Sequence, residues 1–491
     1  MYNVLVLYNG QSMYTPTVQD YLEAFRRHSA NNIHFLHVDG TSKPAFSFDD
    51  YDVLLITYSC RLCYLESMSP LVRSAIVKFR GLKVAFPQDE YQETNKLRDG
   101  IRELGIKLVF TCVPEDKIAW VYPPAMLPGV RFRRVLTGYV PQRLARIPRH
   151  KLPPMQARPS WIGYRGRHLG HFWGDLSFYK SEIGRRFKST CEHRKVPHDI
   201  AWTEEARIYQ ERWYGFMLSC RATLATPSGC NIFDWDGSME REYKEIIRTQ
   251  PHITYEAYRP RIAHREAEID MGQVSPRMFE AAALGTALIV LEGSYSGVVQ
   301  PGIDCLTVRR DFSNIDDVLD ELGDVGRIAE IADRAYESMI ASGRWSYDKF
   351  VALVDEEIEA VLEAGAPASI VDGASLRRVK SAEQSLLETM ALAAPDQFAL
   401  TRWLDLSHLR DKSSRHGALT EAVGHFVGIP KAPAVTPAQI DETAAGVDRD
   451  AVGWVVRKLR KCVHLWRAEG LGSLLRVGRE RLRALQAATW R

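Results

Sequence analysis

The chain has 491 residues, 45% hydrophobic and 25% charged, with a formal net charge of +3, proportions ordinary for a soluble globular protein of more than one domain. It contains no run of eighteen or more apolar residues, which argues against a spanning helix. The eight cysteines, at 60, 63, 112, 191, 220, 230, 305 and 462, form no small-domain framework, so reduced thiols are expected.

The amino-terminal "MYNVLVLYNG" enters a strand-like segment with no basic leader, and a cytoplasmic, non-spanning protein is the expectation. The first third then alternates. "YNVLVLYN" reads as a strand, "TPTVQDYLEAFRRHS" as a helix opened by Thr15 and Pro16, and "IHFLHVDG" and "YDVLLITYS" as strands. Helix "SPLVRSAIVKFRG", strand "KVAFPQDE", helix "ETNKLRDGIRELG" and strand "KLVFTCV" follow. This order predicts a parallel sheet covered on both faces. The first strand ends in "YNGQSMYTP" where a dinucleotide fingerprint would need G-x-G-x-x-G, which argues against a nicotinamide dehydrogenase.

The stretch "VPQRLARIPRHKLPPMQARPS" is rich in Pro and Arg and reads as an interdomain connection. A second α/β unit follows: strand "SWIGYRGR", helices "LSFYKSEIGRRF" and "EEARIYQERWYGFMLS", strand "RATLAT", the segment "SPRMFEAAALGTALIV", strand "DCLTVRRD" and helices "NIDDVLDEL" and "RIAEIADRAYESMIAS". The expected layout is residues 1–145 as a first Rossmann-like domain, 146–160 as linker, 161–345 as a second Rossmann-like domain and 346–363 as a closing helix. Residues 364–491 are expected to form a helical appendage. Two such domains place their ligand at the facing carboxyl ends of their strands.

Within "SPRMFEAAALGTALIV", Ser275 can cap a helix that begins at Pro276 and that Gly285 ends. The amino end of such a helix suits a phosphate, and Glu280, about one turn in, could accept hydrogen bonds from sugar hydroxyls. A simple i to i+3 pairing of Glu280 with Arg277 is the competing reading. Asp89 or Glu90 of "QDEY" could orient or deprotonate an acceptor hydroxyl, or they could be an acidic cluster at a helix amino end. Asn9 and Gly10 of "NGQS" could touch a sugar, or form a polar turn. "FDWDGS" carries Asp234 and Asp236 in D-x-D spacing, but Gly-Ser after the second Asp reads as a turn, and no metal is expected. Cys60 and Cys63 have C-x-x-C spacing without a second pair, and His193 and His264 have no spaced partner; all four read as ordinary residues.

These stretches, with "PGIDCLTVRRDFSNIDDVLDEL", "IGYRGR", "CNIFDWDGS", "FPQDEYQETNKLRDGIRELG" and "LTGYVP", resemble the GT-B fold glycosyltransferases over roughly residues 1–362. The likeness is to the spore-maturation-like or "family 1" transferases of bacterial surface-polysaccharide clusters. The resemblance implies that the second domain holds a nucleotide-sugar, with Ser275 and Arg277 facing its diphosphate and Glu280 contacting the ribose. It implies that Arg167 and Lys180 neutralise the departing diphosphate, that the first domain holds a glycan or lipid-linked glycan acceptor, and that no cofactor is needed. Such relatives carry a second glutamate eight positions before the ribose contact; here that position is Gly272. Chemically, breaking a glycosyl–phosphate bond develops negative charge on the leaving group, which fixed cations stabilise.

From Val452 to Arg491 ten Lys or Arg face only Glu469 and Glu480, so the remainder of the chain is acidic. Trp, Leu and Val interleave with these arginines at roughly helical spacing, which suits an anionic membrane surface. That would make the protein peripheral on the inner face of the plasma membrane. A helix packed on the catalytic domains is the other reading, and no nucleic-acid partner is expected, because no reader motif accompanies the charges. The sequence reading is thus a nucleotide-sugar-dependent glycosyltransferase of cell-envelope polysaccharide biosynthesis. A sugar-nucleotide epimerase of the same fold, or a non-catalytic glycan- or nucleotide-binding protein, remains the alternative.

Overall fold

The computed structural model describes residues 1–10, 15–44, 46–208 and 211–364; the basic tail and residues 11–12 of "NGQS" lie outside them. The described chain forms two parallel sheets. The first comprises β1 (Asn3–Tyr8), β2 (Asn32–His37), β3 (Val53–Ile56), β4 (Leu82–Ala85), β5 (Leu108–Thr111) and β6 (Arg131–Arg134), in the order β2-β1-β3-β4-β5-β6. The second comprises β7 (Ser160–Arg165), β8 (His198–Ala201), β9 (Cys220–Ala225), β10 (Ala287–Leu291) and β11 (Leu306–Val308), in the order β11-β10-β9-β7-β8. Both are Rossmann-like, and in each the order reverses beside the first strand, which leaves a crevice at the carboxyl edge.

Burial explains the strand sequences. β1 and β10 are buried at every residue because helices cover both faces, so they read as unbroken apolar runs. β6, "RFRR", is an exposed edge strand whose Arg131 pairs with Glu357 at 2.7 Å. Its charges blunt the open edge and conceal it from a search for apolar alternation. β8, "HDIA", buries only one residue fully, and it too escapes the pattern.

The helices that matter for the cleft are α1 (Pro16–His28), α2 (Pro70–Lys78), α3 (Thr94–Leu104), α4 (Gly174–Arg194), α5 (Glu211–Leu218), α6 (Ser238–Thr249) and α7 (Pro276–Ala283), with α8 (Ile315–Gly323), α9 (Val325–Tyr336) and α10 (Tyr347–Glu363) behind them. Within the expected helix over "EEARIYQERWYGFMLS", residues 204–208 are not helical and α5 covers Glu211–Leu218, while α6 was not evident from the sequence. The chain crosses between the sheets twice, and the crossings meet where Val140 N–H donates to Trp345 O at 2.8 Å and Tyr347 N–H to Val140 O at 3.1 Å. α10 then packs on the first sheet. Its Tyr347, Phe350, Val351 and Val354 join the core formed by Val4, Val6, Leu22 and Phe25.

Candidate functional site

Two features of β7 and α7 build the main cavity. After β7, Gly166 has no side chain, and a Cβ there would lie 2.6 Å from Lys180 O. The glycine therefore lets α4 approach the strand end closely and carries Lys180 to the cleft. Across from it, α7 starts at Pro276 and stops at Gly285, whose φ of +62° favours glycine. Ser275 occupies the cap position, but its hydroxyl accepts no hydrogen bond from the helix, so the expected capping is corrected; the side chain faces the cavity instead.

The cavity holds about 300 Å³ and is lined by Arg165, Gly166, Arg167, Lys180, Arg207, Trp213, Thr226, Ser228, Ser275 and Arg277, among others. Among the described residues, no Asp or Glu lines it. Arg165 and Arg207 are paired with Asp199 and Glu204 outside the lining, which leaves Arg167, Lys180 and Arg277 as the cations without an ion pair among the described residues, an arrangement suited to a multiply charged anion.

The cations are not equivalent. Arg165 is committed to the protein, pairing with Asp199 at 2.8 Å and lying over the Phe216 ring. Arg277 donates to Arg165 O at 2.7 Å and lies 5.0 Å from the centre of the Trp213 ring. The side chains of Arg167 and Lys180 make no ion pair or hydrogen bond among the described residues, although the Lys180 carbonyl accepts from Tyr164 OH at 2.7 Å. Burial holds the Lys180 ammonium below its ordinary pKa, and the neighbouring Arg277 and Arg167 push the same way, whereas the Asp89 carboxylate pushes it back up. An incoming anion would relieve that repulsion.

Glu280 is buried, 6% exposed, and Trp213 Nε1 donates to its Oε2 at 2.7 Å while Tyr214 OH stands 3.5 Å from Oε1. It makes no ion pair with Arg277, so the i to i+3 pairing is corrected. Burial raises its pKa, with the Trp213 hydrogen bond opposing. Glu280 lines a second cavity of about 150 Å³ that shares Arg165, Gly166, Arg207, Trp213 and Arg277 with the first and reaches Thr15–Thr17 of the first domain. The aromatic pair Trp213–Tyr214 is a contact that sequence reasoning missed, since the two lie 67 and 66 residues from Glu280. Tyr214 in turn lies under Arg143, which holds Asp20 of α1 at 2.8 Å, so Glu280 joins a network that crosses between the domains.

Asp89 is exposed after β4, in the first domain, where Tyr91 OH donates to it at 2.8 Å. Its neighbour Glu90 is fully buried and accepts from Thr111 Oγ1, from Tyr122 OH at 2.5 Å and from Cys112 N at 2.8 Å. Burial pushes its pKa up to about 7. Glu90 is thus a structural acid, which leaves Asp89 as the exposed carboxylate of that pair, lining a small first-domain cavity with Arg61, Cys63 and Gln88.

The remaining positions fare differently. Asn9 and Gly10 are buried after β1, their amides donating to Ser59 Oγ and His37 Nδ1 at 2.9 Å each, and neither is among the residues lining the cationic cavity. Asp234 accepts from Met239 N at 3.1 Å and Glu240 N at 3.0 Å, and Asp236 from Ser238 N at 3.0 Å. The D-x-D is a turn that caps α6 and, through Glu93 N to Asp234 O at 2.9 Å, ties the two domains together. At Gly272 a Cβ would lie 2.0 Å from Ser294 Oγ, so the position is closed to a side chain unless Ser294 moves. Cys60 is a buried thiol pushed up to about 12 by burial, unlike a redox-active one.

A scan against protein-family models gives no match, and neither does a search of curated proteins. Among solved structures the chain is similar to an α-glucosyltransferase in complex with UDP and a 13-mer DNA, at 9% identity over 73% of this chain and 99% of that one, with a TM-score of 0.45. It is similar to Anabaena Alr3699/HepE in complex with UDP-glucose, at 12% identity over 74% and 100% of the two chains, TM-score 0.39. It is also similar to TarM, at 11% identity over 62% of this chain and 54% of TarM, TM-score 0.35; the match thus spans about half of TarM's length.

Proposed function

We propose that the chain is a glycosyltransferase that takes a sugar from a nucleotide-sugar donor. The observation that carries this reading is the acid-free, cation-lined cavity at the carboxyl edge of the second sheet, with Arg167 and Lys180 unpaired inside it. A nucleoside diphosphate brings the charge those cations need, and the adjoining cavity at Glu280 offers a carboxylate for ribose hydroxyls.

In the reaction, an acceptor hydroxyl oxygen bonds to the anomeric carbon as the bond from that carbon to the phosphate oxygen breaks. Arg167, Lys180 and the amino end of α7 with Arg277 stabilise the charge gathering on the diphosphate. The hydroxyl proton passes to Asp89, the exposed carboxylate after β4 whose charge acts on Lys180 of the other domain. The acceptor is a glycan or lipid-linked glycan of cell-surface polysaccharide synthesis. Among the described residues no helix is long and apolar enough to cross a membrane, and the proposed contact with an anionic membrane surface rests on the composition of residues 452–491.

The test is calorimetric titration of UDP, GDP, CDP and ADP into the parent and into Glu280→Ala, with fold checked by circular dichroism. One nucleotide should bind the parent, and the folded variant should bind it more weakly. A parent that binds none of the four removes the proposal's support.

A further inference from the structure

Arg143 belongs to the short helix Gln142–Ala145, just after the first crossing between the sheets. Its Nε donates to Asp20 Oδ1 of α1 at 2.8 Å and its Nη2 to Asp20 Oδ2, a two-point grip that fixes the plane of the guanidinium. The same group lies 5.3 Å from the centre of the Tyr214 ring, and the Tyr214 hydroxyl stands 3.5 Å from Glu280 Oε1. A cation held by the first domain thus reaches toward the carboxylate of the second, with one tyrosine between them.

That carboxylate needs a counter-charge. Glu280 is buried, and its short hydrogen bond, from Trp213 Nε1 to Oε2 at 2.7 Å, comes from a neutral donor. Burial favours the protonated acid, which accepts fewer hydrogen bonds than the carboxylate. Burial pushes the Glu280 pKa up, the Trp213 hydrogen bond, Arg143 and Arg277 oppose it in that order, and Asp20 adds a smaller push upward. Arg165 and Arg207 line the same cavity but are held by Asp199 and Glu204. The two opposing arginines differ once a donor is bound. Arg277 lines both cavities, where a diphosphate would offset its charge, whereas Arg143 lines neither. Arg143 is the cation that a bound donor leaves to Glu280.

We propose that Arg143 is a positioning residue for the donor's ribose, anchored by Asp20 and acting through Tyr214 as the lasting counter-charge of the Glu280 carboxylate. The ribose part rests on the nucleotide-sugar reading, but the coupling of Arg143 to Glu280 can be measured without any nucleotide.

The test uses the full chain. Arg143→Met alone would leave Asp20 buried without its partner, so the main variant is Asp20→Asn/Arg143→Met, which removes the pair together; Arg143→Lys keeps the charge, and circular dichroism checks both folds. The Trp213 indole N–H resonance, assigned by its loss in Trp213→Phe, reports ionisation of Glu280 because Nε1 donates to it. In the paired variant its titration should move to higher pH than in the parent, since losing the larger, favourable charge of Arg143 outweighs losing Asp20. In Arg143→Lys it should stay near the parent's. An unmoved or lowered titration in the paired variant, or an equal shift in Arg143→Lys, overturns the proposal. Calorimetry with UDP, GDP, CDP and ADP and their 2′,3′-dideoxy forms then reads the ribose, each ratio cancelling the titration of base and phosphates that the two forms share. The parent should favour the ribonucleotide by about tenfold, the worth of about one hydrogen bond, and the paired variant should reach that preference only at higher pH. Equal weakening of both forms at every pH would make Arg143 a strut between the domains and overturn the proposal. A shifted Trp213 titration in a protein whose parent binds no nucleotide refutes the donor reading, and the ribose role with it, while the coupling of Arg143 to Glu280 stands.

Discussion

The two sheets share a parallel strand direction and a reversal of order beside the first strand, yet their carboxyl edges carry opposite chemistry. The edge of the second sheet gathers Arg165, Arg167, Lys180, Arg207 and Arg277 around a cavity that no acid lines among the described residues. The edge of the first gathers Tyr21, Tyr58, Phe86 and Phe350, with Asp89 exposed nearby. One architecture supplies two crevices, and the residues placed at the strand ends decide which takes the anion. Function is written in the edges, whereas the buried strands between them record only packing.

Asp89→Asn tests the division most severely. If Asp89 is the base, turnover should fall by about 10²–10⁴-fold while calorimetry finds nucleotide affinity unchanged; a parallel loss of affinity would place Asp89 on the donor side. Lys180→Ala should act on the other half, lowering kcat/KM by about 10²-fold or more through lost stabilisation of the leaving group, with nucleotide diphosphate affinity falling as well. Steady-state kinetics on both variants should therefore show affinity separating the two crevices.

Glu90→Gln probes whether the first edge is held by a buried acid. Its folded pKa of about 7 lies above the ordinary 4.5, so the protonated acid favours the fold. That contribution is complete below about pH 4.5 and is lost as pH rises through about 7, at a cost of about 3 kcal/mol. Urea midpoints of the parent relative to Glu90→Gln should fall across this window, and parallel pH profiles would contradict the assignment. Glu280→Gln should have the smallest effect, weakening the ribonucleotide by about tenfold. The parent should prefer the ribonucleotide to its 2′- or 3′-deoxy form, and the variant should lose that preference; an equal preference in both proteins would leave Glu280 as a partner of Trp213 only.

Most of the fold was legible because strands covered on both faces must be apolar throughout, as "NVLVLY" and "ALIVL" are. The edge strands "RFRR" and "HDIA" were not, since exposed strands answer to charge and turn geometry, not to burial. Arg277 could be found from the helix start it occupies, whereas Arg167, just past β7, and Lys180, in the second turn of α4, were reached only through the family resemblance. Asn9 and Gly10 occupy an equivalent place after β1, but His37 and Ser59 from the neighbouring strands' ends use their amides, a tertiary event that no local pattern encodes. The same holds for Trp213 and Tyr214 at Glu280.

The deciding experiment is a calorimetric comparison, at one ionic strength, of a nucleoside, its monophosphate and its diphosphate binding to the parent. An anion site made by the second edge requires affinity to rise with each phosphate, with the diphosphate about 10²-fold or more tighter than the nucleoside, given about 1.5–3 kcal/mol for each charge-assisted hydrogen bond, and that gain should shrink in Lys180→Ala. Equal affinities along the series, or a gain untouched by the loss of Lys180, would contradict the assignment of this cavity to a diphosphate.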